Sequence, residues 1–129
     1  MPRLTFKKEE RLTSKKVFEL LFNSGKSFTT SPFRLVWVET KPTGSFPAQL
    51  GISVPKRSFA KAVDRNTLKR RIRESYRKNK QMLYEVLRKK NHTIALMIIY
   101  IAKEEFPYQE IEKKMIVSLQ KLAAQINAG

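Results

Sequence analysis

The residues best suited to chemistry form a dense run of positive charge at positions 63–78, near the middle of the chain. Arginine offers planar, paired donors that match phosphate oxygens, and residues three or four apart on a helix are neighbours. Within Arg65–Lys80 only Glu74 offsets the cations, so their like charges repel unless an anion lies against them. The run therefore favours a phosphate backbone as its ligand over a merely solvated helix face.

The spacing of these cations predicts a helix that begins at about Ala62 and ends between Asn79 and Leu87. At about 100° per residue, apolar and basic side chains fall on adjoining sides of that helix. The apolar stripe comprises Leu68, Ile72, Tyr76 and Leu83. The basic stripe comprises Lys69, Arg70, Arg73, Arg77 and Lys80, with Arg71 and Lys78 on the opposite shoulder. We expect the apolar stripe to anchor the helix on a sheet and the basic stripe to face outward.

The overall charge supports a polyanionic partner. The chain of 129 residues has 27 Lys and Arg against 11 Asp and Glu, a net charge of +16, which costs a small domain stability through self-repulsion. Nucleic acid is the first candidate, because each neutralised phosphate releases counterions. An anionic membrane surface is the second, although no segment has the ~18–20 apolar residues needed to span a bilayer. Without cysteine or a signal-peptide core, the chain is expected to be a cytoplasmic protein.

Little else in the sequence suggests catalysis. His92 is the only histidine and is predicted at the surface or at a strand edge; the acidic pairs Glu9-Glu10 and Glu104-Glu105 are isolated, so no catalytic residue and no metal site is predicted. Asn66 has two interpretations, as a cap of the basic helix or as a polar contact to RNA. The small residues Gly51 and Ser53 could leave space for a ligand strand or mark close packing.

The remaining elements predict an α+β sandwich in a single domain spanning residues 1–129. Residues 1–12 are expected to form an extended, flexible basic arm. Thr13 or Ser14 caps a helix at 14–24 that ends at Gly25. The predicted strands are residues 33–38 and 48–54, expected to pair as an antiparallel hairpin, a small strand near 27–30, and a buried central strand at 94–101. A last amphipathic helix begins at Pro107.

The basic run and its flanking residues resemble a known protein family. The segment Arg65-Asn66-Thr67-Leu68-Lys69-Arg70-Arg71-Ile72-Arg73-Glu74 resembles the signature helix of the bacterial ribonuclease P protein. Flanking pieces agree in order and spacing over residues 11–78. These pieces are Arg11-Leu12, Phe18, Phe22, Gly25-Lys26-Ser27-Phe28, Phe33, Leu35, Gly51-Ile52-Ser53-Val54 and Lys56-Arg57.

The resemblance implies a fold of the ribosomal S5 domain 2-like type, with a left-handed β-α-β crossover that general handedness rules do not predict. It implies that a basic surface binds the catalytic RNA of ribonuclease P. That surface would comprise Lys56, Arg57, Arg65, Asn66, Lys69, Arg70, Arg73 and Arg77. It also implies a cleft for the single-stranded 5′ leader of precursor tRNA, lined by Phe18, Phe22, Phe33 and Ser53. From spacing alone, the three phenylalanines are more simply core residues.

The function implied is that of a protein subunit that helps an RNA enzyme remove the 5′ leader, with Mg²⁺ held mainly by the RNA and the substrate. The expected partners are the catalytic RNA and precursor tRNA, and neither DNA nor a membrane. Two positions depart from the family: Thr67 stands where many members have Arg or Lys, and Val36 where some have Tyr. The Arg often found after the late strand has no clear counterpart around Lys103.

Three other functions share some of these features. A basic RNA-binding protein of ribosomal or chaperone type would share both the charge and the sandwich. A DNA-binding helix-turn-helix protein would need a second helix just before the basic one, where residues 46–55 predict a strand instead. A protein-only nuclease would have to cleave precursor tRNA without an RNA subunit.

Overall fold

The computed structural model of the chain describes residues 6–41 and 45–128. Within these ranges the chain forms four α-helices and four strands, so the predicted mixed α+β class is confirmed. In chain order they are α1 (Lys15–Ser24), β1 (Lys26–Thr30), β2 (Phe33–Glu39), β3 (Ala48–Ser53), α2 (Ala62–Asn79), α3 (Gln81–Lys90), β4 (Ile94–Tyr100) and α4 (Tyr108–Ala128). A 3-10 turn at Lys8–Glu10 precedes α1.

The first helix begins and ends where the sequence predicts. The Ser14 hydroxyl accepts the backbone N–H of Val17 at 3.4 Å, which satisfies a donor that the first helical turn leaves unpaired. The Gly25 N–H donates to the Leu21 carbonyl at 3.0 Å and closes the helix. A Cβ at Gly25 would collide with that carbonyl and with Val36, so the tight passage from α1 into β1 requires glycine.

The sheet has the order β1-β2-β4-β3, and this corrects one prediction. The expected β2–β3 hairpin is wrong because β4 lies between the two strands. Ile98 of β4 pairs with Leu35 of β2 on one side, antiparallel, and with Ile52 of β3 on the other, parallel. β4 is apolar on both of its faces, and only a position inside the sheet buries both of them. This explains why β4 is a central strand, as predicted. The small strand near residues 27–30 is confirmed as β1.

The two faces of the sheet bury different residues. Phe33, Leu35 and Trp37 of β2 point to the main core, which is built with α2, α3 and α4. Val36 and Val38 alternate with them and point to a smaller cluster that α1 covers. Helices therefore lie on both faces of the sheet, with α1 on the face opposite the main core.

The predicted β-α-β unit connects the parallel neighbours β3 and β4 through two helices instead of one. The basic helix α2 ends at Asn79 and α3 begins at Gln81, so Lys80 is at once the C-cap of the first and the N-cap of the second. Asn91, in the left-handed region at φ 57°, then ends α3 ahead of β4. The left-handedness of this β-α-β crossover stays a prediction. Pro107 directly precedes α4, as expected.

Residues 6–12, hereafter the N-terminal segment, pack on the fold instead of extending from it as a flexible arm. The Leu12 N–H donates to the Leu50 carbonyl at 2.9 Å, which adds the segment to the free edge of β3. The Glu10 side chain is completely buried. The predicted arm is wrong for these residues because a buried carboxylate and a strand-edge hydrogen bond hold them in place, and residues 1–5 lie outside the described ranges.

Candidate nucleic-acid interface

The polar and basic residues of α2 lie in several different environments around the helix. Lys69 and Arg73, one turn apart, line a cleft between the helix, α1 and the sheet. Arg70 and Asn66 are exposed on the outward side. Arg71 lies on the far flank, where its Nη1 donates to the Phe106 carbonyl at 2.8 Å and lies 3.2 Å from Glu105. The predicted outward basic stripe is therefore present but narrower than the sequence suggested.

The cleft, hereafter the α1 cleft, has a volume of about 270 Å³. Half-buried Phe18 of α1 forms one side, Lys69 and Arg73 of α2 form another, and Gly51 and Met97 of adjacent strands form the floor. An aromatic ring beside two cations is the combination that binds single-stranded nucleic acid by stacking and charge. The structure thus brings one predicted leader residue and two predicted RNA-binding residues into a single site.

Gly51 lines the α1 cleft without a side chain. A Cβ at this position would lie 2.9 Å from the Met97 sulfur and 3.4 Å from a Leu12 methyl group. Close packing is therefore confirmed at Gly51, whereas space for a ligand strand at this position stays a prediction. Ser53 is half-buried two residues further along β3, and the alternation of the strand places it on the same face.

The three phenylalanines have three different environments. Phe18 lines the α1 cleft, whereas Phe22, one turn later on α1, is 77% exposed. Phe33 has no exposed surface, and its ring centroid lies 6.2 Å from that of Tyr100 in the main core. The assignment of Phe33 to the leader cleft is wrong because β2 turns this side chain to the opposite face of the sheet from α1.

Arg65 positions the loop that carries Lys56 and Arg57. Its Nη1 donates to the carbonyls of Phe59 and Ala60, both at 2.8 Å, which ties the loop to the first turn of α2. Lys56 and Arg57 are exposed on this loop. Arg65 therefore has a structural role in addition to the RNA contact that the resemblance implies.

The same loop meets the segment that follows β4. Arg57, Ser58 and Lys103 line a second, open cavity of about 460 Å³ at the carboxyl ends of the parallel strands β3 and β4. Sequence reasoning did not select Lys103, because the adjacency of the two loops depends on the pairing of β3 with β4. Lys103 adds a second cation to the lining of this cavity.

Two of the predicted basic-stripe residues have acidic partners. The Nε of Arg77 donates to Glu74 at 3.0 Å; this pairing lowers the pKa of Glu74 and raises that of Arg77. An RNA phosphate would have to compete with Glu74 for Arg77. Lys80 is only 3% exposed and forms an ion pair with Glu10, so its assignment to the outward stripe is wrong. The interruption between α2 and α3 turns it inward.

The structure also gives the local geometry of three further residues that the sequence singled out. Asn66 is not the cap of α2, because that position belongs to Lys61. Thr67, one of the two departures from the family, donates its hydroxyl to the Val63 carbonyl at 2.9 Å within the helix. His92 is at the surface before β4, as predicted, with Nδ1 2.8 Å from a Glu39 carboxylate oxygen.

The acidic residues are dispersed. Within residues 6–41 and 45–128, no three His, Cys, Asp or Glu side chains converge as metal ligands would. No helix in the described ranges is long and apolar enough to cross a bilayer.

A cationic helix and an aromatic cleft on an α+β sandwich define a small basic protein built to bind a polyanion. The family model for ribonuclease P matches residues 6–123, and the chain belongs to the ribonuclease P protein family. As a member it is a protein component of ribonuclease P, an endonuclease of tRNA processing.

The chain is similar to several ribonuclease P proteins, over between about half and nearly all of its length. It is 34% identical to the ribonuclease P protein component of Porphyromonas gingivalis strain ATCC 33277 over 123 residues, which are 92% of this chain and 87% of the relative. It is 44% identical to that of Legionella pneumophila strain Paris over 72 residues, 56% and 60% of the two chains. The RNase P protein structure from Thermotoga maritima has a TM-score of 0.69 at 27% identity, covering 87% of this chain and 96% of the other.

Proposed function

We propose that this chain binds two RNAs at once: the catalytic RNA of ribonuclease P and the 5′ leader of precursor tRNA. The outward face of α2, with Arg70 and Asn66, and the loop carrying Lys56 and Arg57 would contact the catalytic RNA. The α1 cleft would hold the single-stranded leader. The complex would act in the cytoplasm.

The observation that supports this assignment best is the shared lining of the α1 cleft. Phe18 offers a ring for a base, while Lys69 and Arg73 offer charge to the phosphates on either side of it. Phe22, exposed one turn away on α1, offers a second ring along the same helix. Duplex RNA hides its base faces in the stack, so this chemistry favours an unpaired strand such as a leader.

The cavity between Arg57 and Lys103 extends the positive surface beyond α2. It lies at the carboxyl ends of parallel strands, where α/β sheets commonly bind ligands. A leader strand or a loop of the catalytic RNA could place a phosphate between these two side chains. Arg65 would support the contact by holding the Arg57 loop against α2.

Cleavage itself would belong to the RNA subunit, and Mg²⁺ bound to RNA and substrate would activate water at the scissile phosphodiester. The residues of this chain would hold the leader and neutralise phosphate charge beside that site. Holding the substrate in a fixed position would raise its affinity and lower the Mg²⁺ concentration that cleavage requires.

Reconstitution tests the proposal. The chain, freed of RNA, should restore leader cleavage to a bacterial ribonuclease P RNA at a Mg²⁺ concentration too low for that RNA alone. RNA binding without stimulation would favour a ribosomal or chaperone role. Cleavage by the protein without the RNA subunit would contradict the proposed division of labour.

A further inference from the structure

The N-terminal segment supplies the α1 cleft with a third cation. Arg11 lines the cleft together with Lys69 and Arg73, although the sequence predicted only an extended arm here. Its guanidinium carbon lies 6.0 Å from the centre of the Phe6 ring, which is itself edge-on to Tyr76 at 6.0 Å. The Phe6 ring therefore supports an arginine that comes from a different part of the chain than α2.

The neighbouring residue points in the opposite direction. Glu10 turns its carboxylate into the protein, where one oxygen accepts from the Tyr84 hydroxyl at 2.6 Å and pairs with the Lys80 ammonium. The other oxygen accepts the backbone N–H of Lys7 at 2.6 Å. We refer to Glu10, Lys80 and Tyr84 as the buried anchor.

The buried anchor is better suited to fixing a position than to adding stability. The free energy lost in removing two charges from water offsets much of the Coulombic attraction between them, so a buried ion pair is weak evidence for stabilisation. The pair does fix the path of the N-terminal segment, because both carboxylate oxygens of Glu10 are held by specific partners. The Leu12 N–H bond to the Leu50 carbonyl fixes the other side of Arg11.

We infer that Arg11 is a further phosphate contact of the α1 cleft and that Glu10 is its positioning residue. The inference rests on the proposed function, since it assigns these residues to the same leader strand. Arg11 stands between the buried anchor and the β3 edge, so its guanidinium stays beside Lys69 and Arg73. Three cations in one small cleft repel one another, and a bound phosphate would relieve that repulsion.

The first experiment measures affinity of the reconstituted holoenzyme for precursor tRNA with a leader and for mature tRNA. Arg11→Ala should weaken the binding of leader-bearing precursor tRNA about tenfold and leave the affinity for mature tRNA unchanged. The slope of log affinity against log salt concentration should become shallower by about 0.7, the contribution of one phosphate contact to a single strand. Arg11→Lys should recover most of the loss, and Lys113→Ala, an exposed cation on α4, should lose nothing. Unchanged affinity and slope in Arg11→Ala would overturn the assignment.

The second experiment separates positioning from folding by a double-mutant cycle. Glu10→Gln and the milder Tyr84→Phe should each cost about threefold in leader affinity when Arg11 is present. Neither should cost anything further in the Arg11→Ala background. Losses that add in full would make the buried anchor a purely structural feature and would contradict the inference. Tyr84→Phe keeps the cycle decisive if Glu10→Gln does not fold.

Two variants show whether the inference or the proposed function has failed. Phe18→Ala and Lys69→Ala remove cleft residues that do not depend on the buried anchor. If they weaken leader binding and Arg11→Ala does not, only the role of Arg11 is refuted. If they also leave leader binding unchanged, the α1 cleft is not the leader site and the proposed function fails.

Discussion

Glu10 and Lys80 lie 70 residues apart in the chain and form an ion pair from which solvent is almost wholly excluded. The pair ties the N-terminal segment to the junction of α2 and α3. One wall of the α1 cleft therefore depends on a contact made at the far end of the basic helix.

Glu10→Ala should destabilise the protein by about 3–5 kcal/mol, because it leaves the Lys80 ammonium buried without its carboxylate. Urea unfolding followed by circular dichroism measures the change in the free energy of unfolding. Glu9→Ala, at the exposed neighbouring position, is the matched control and should change it by less than about 0.5 kcal/mol. Equal effects of the two variants would show that the pair contributes nothing.

Stability should fall at alkaline pH because all four tyrosines keep their protons in the folded state. Burial raises the pKa of Tyr76, Tyr84 and Tyr100, and burial with a hydrogen bond to Glu112 raises the pKa of Tyr108 to about 12. In the unfolded chain tyrosine ionises near pH 10, so the unfolded state releases protons that the folded state retains.

The free energy of unfolding is thus expected to be insensitive to tyrosine ionisation below about pH 10 and to decrease above it. The slope should reach about 1.4 kcal/mol per pH unit for each fully buried tyrosine. Ultraviolet titration of tyrosinate with parallel circular dichroism tests this. Normal ionisation of the tyrosines in a protein that is still folded would refute it.

Phe18→Ala and Phe33→Ala should have opposite consequences. Phe18→Ala should reduce affinity for leader-bearing precursor tRNA by about 1–3 kcal/mol, the value of one stacked base, and spare mature tRNA. Phe33→Ala should instead reduce stability by about 3–5 kcal/mol, because it opens a cavity in the main core. Leader affinity of the folded Phe33→Ala protein should be unchanged. Loss of stability without loss of leader affinity in Phe18→Ala would return that ring to the core.

Arg70→Ala and Arg73→Ala should each flatten the salt dependence of RNA binding. Each phosphate contact that is lost makes the slope of log affinity against log salt concentration shallower, by about one unit for a duplex and about 0.7 for a single strand. Arg70 should act on the catalytic RNA alone and Arg73 on the leader, because Arg70 faces outward and Arg73 lines the α1 cleft. Slopes identical to that of Lys113→Ala would place both side chains in solvent.

Local patterns predicted the elements of this fold well. Ser14, Gly25 and Pro107 mark helix ends through hydrogen bonds and backbone geometry that depend on immediate neighbours. The strand alternation of β2 was also predicted, but spacing cannot tell which face of a sheet meets α1 and which meets the main core. The resemblance, and not the spacing, implies a cleft position for Phe33; spacing alone favours the core, where the side chain lies.

Long-range pairings were beyond sequence reasoning. The insertion of β4 between β2 and β3 depends on contacts that no single strand contains. The burial of Glu10 likewise depends on Lys80, which the helical pattern had assigned to the outward stripe. Both errors have one cause, namely that the partner lies in a distant part of the chain, and Arg11 was missed for the same reason.

The central claim is that two faces of one protein bind two different RNAs, and site-directed crosslinking tests it most directly. The chain has no cysteine, so single cysteines at Arg70→Cys, at Thr13→Cys in the α1 cleft and at Lys113→Cys can each carry a photoreactive group. In the holoenzyme with precursor tRNA, the group at position 70 should crosslink to the catalytic RNA and the group at position 13 to the leader, with neither RNA reached from position 113. Crosslinks from positions 70 and 13 to the same RNA would contradict the account.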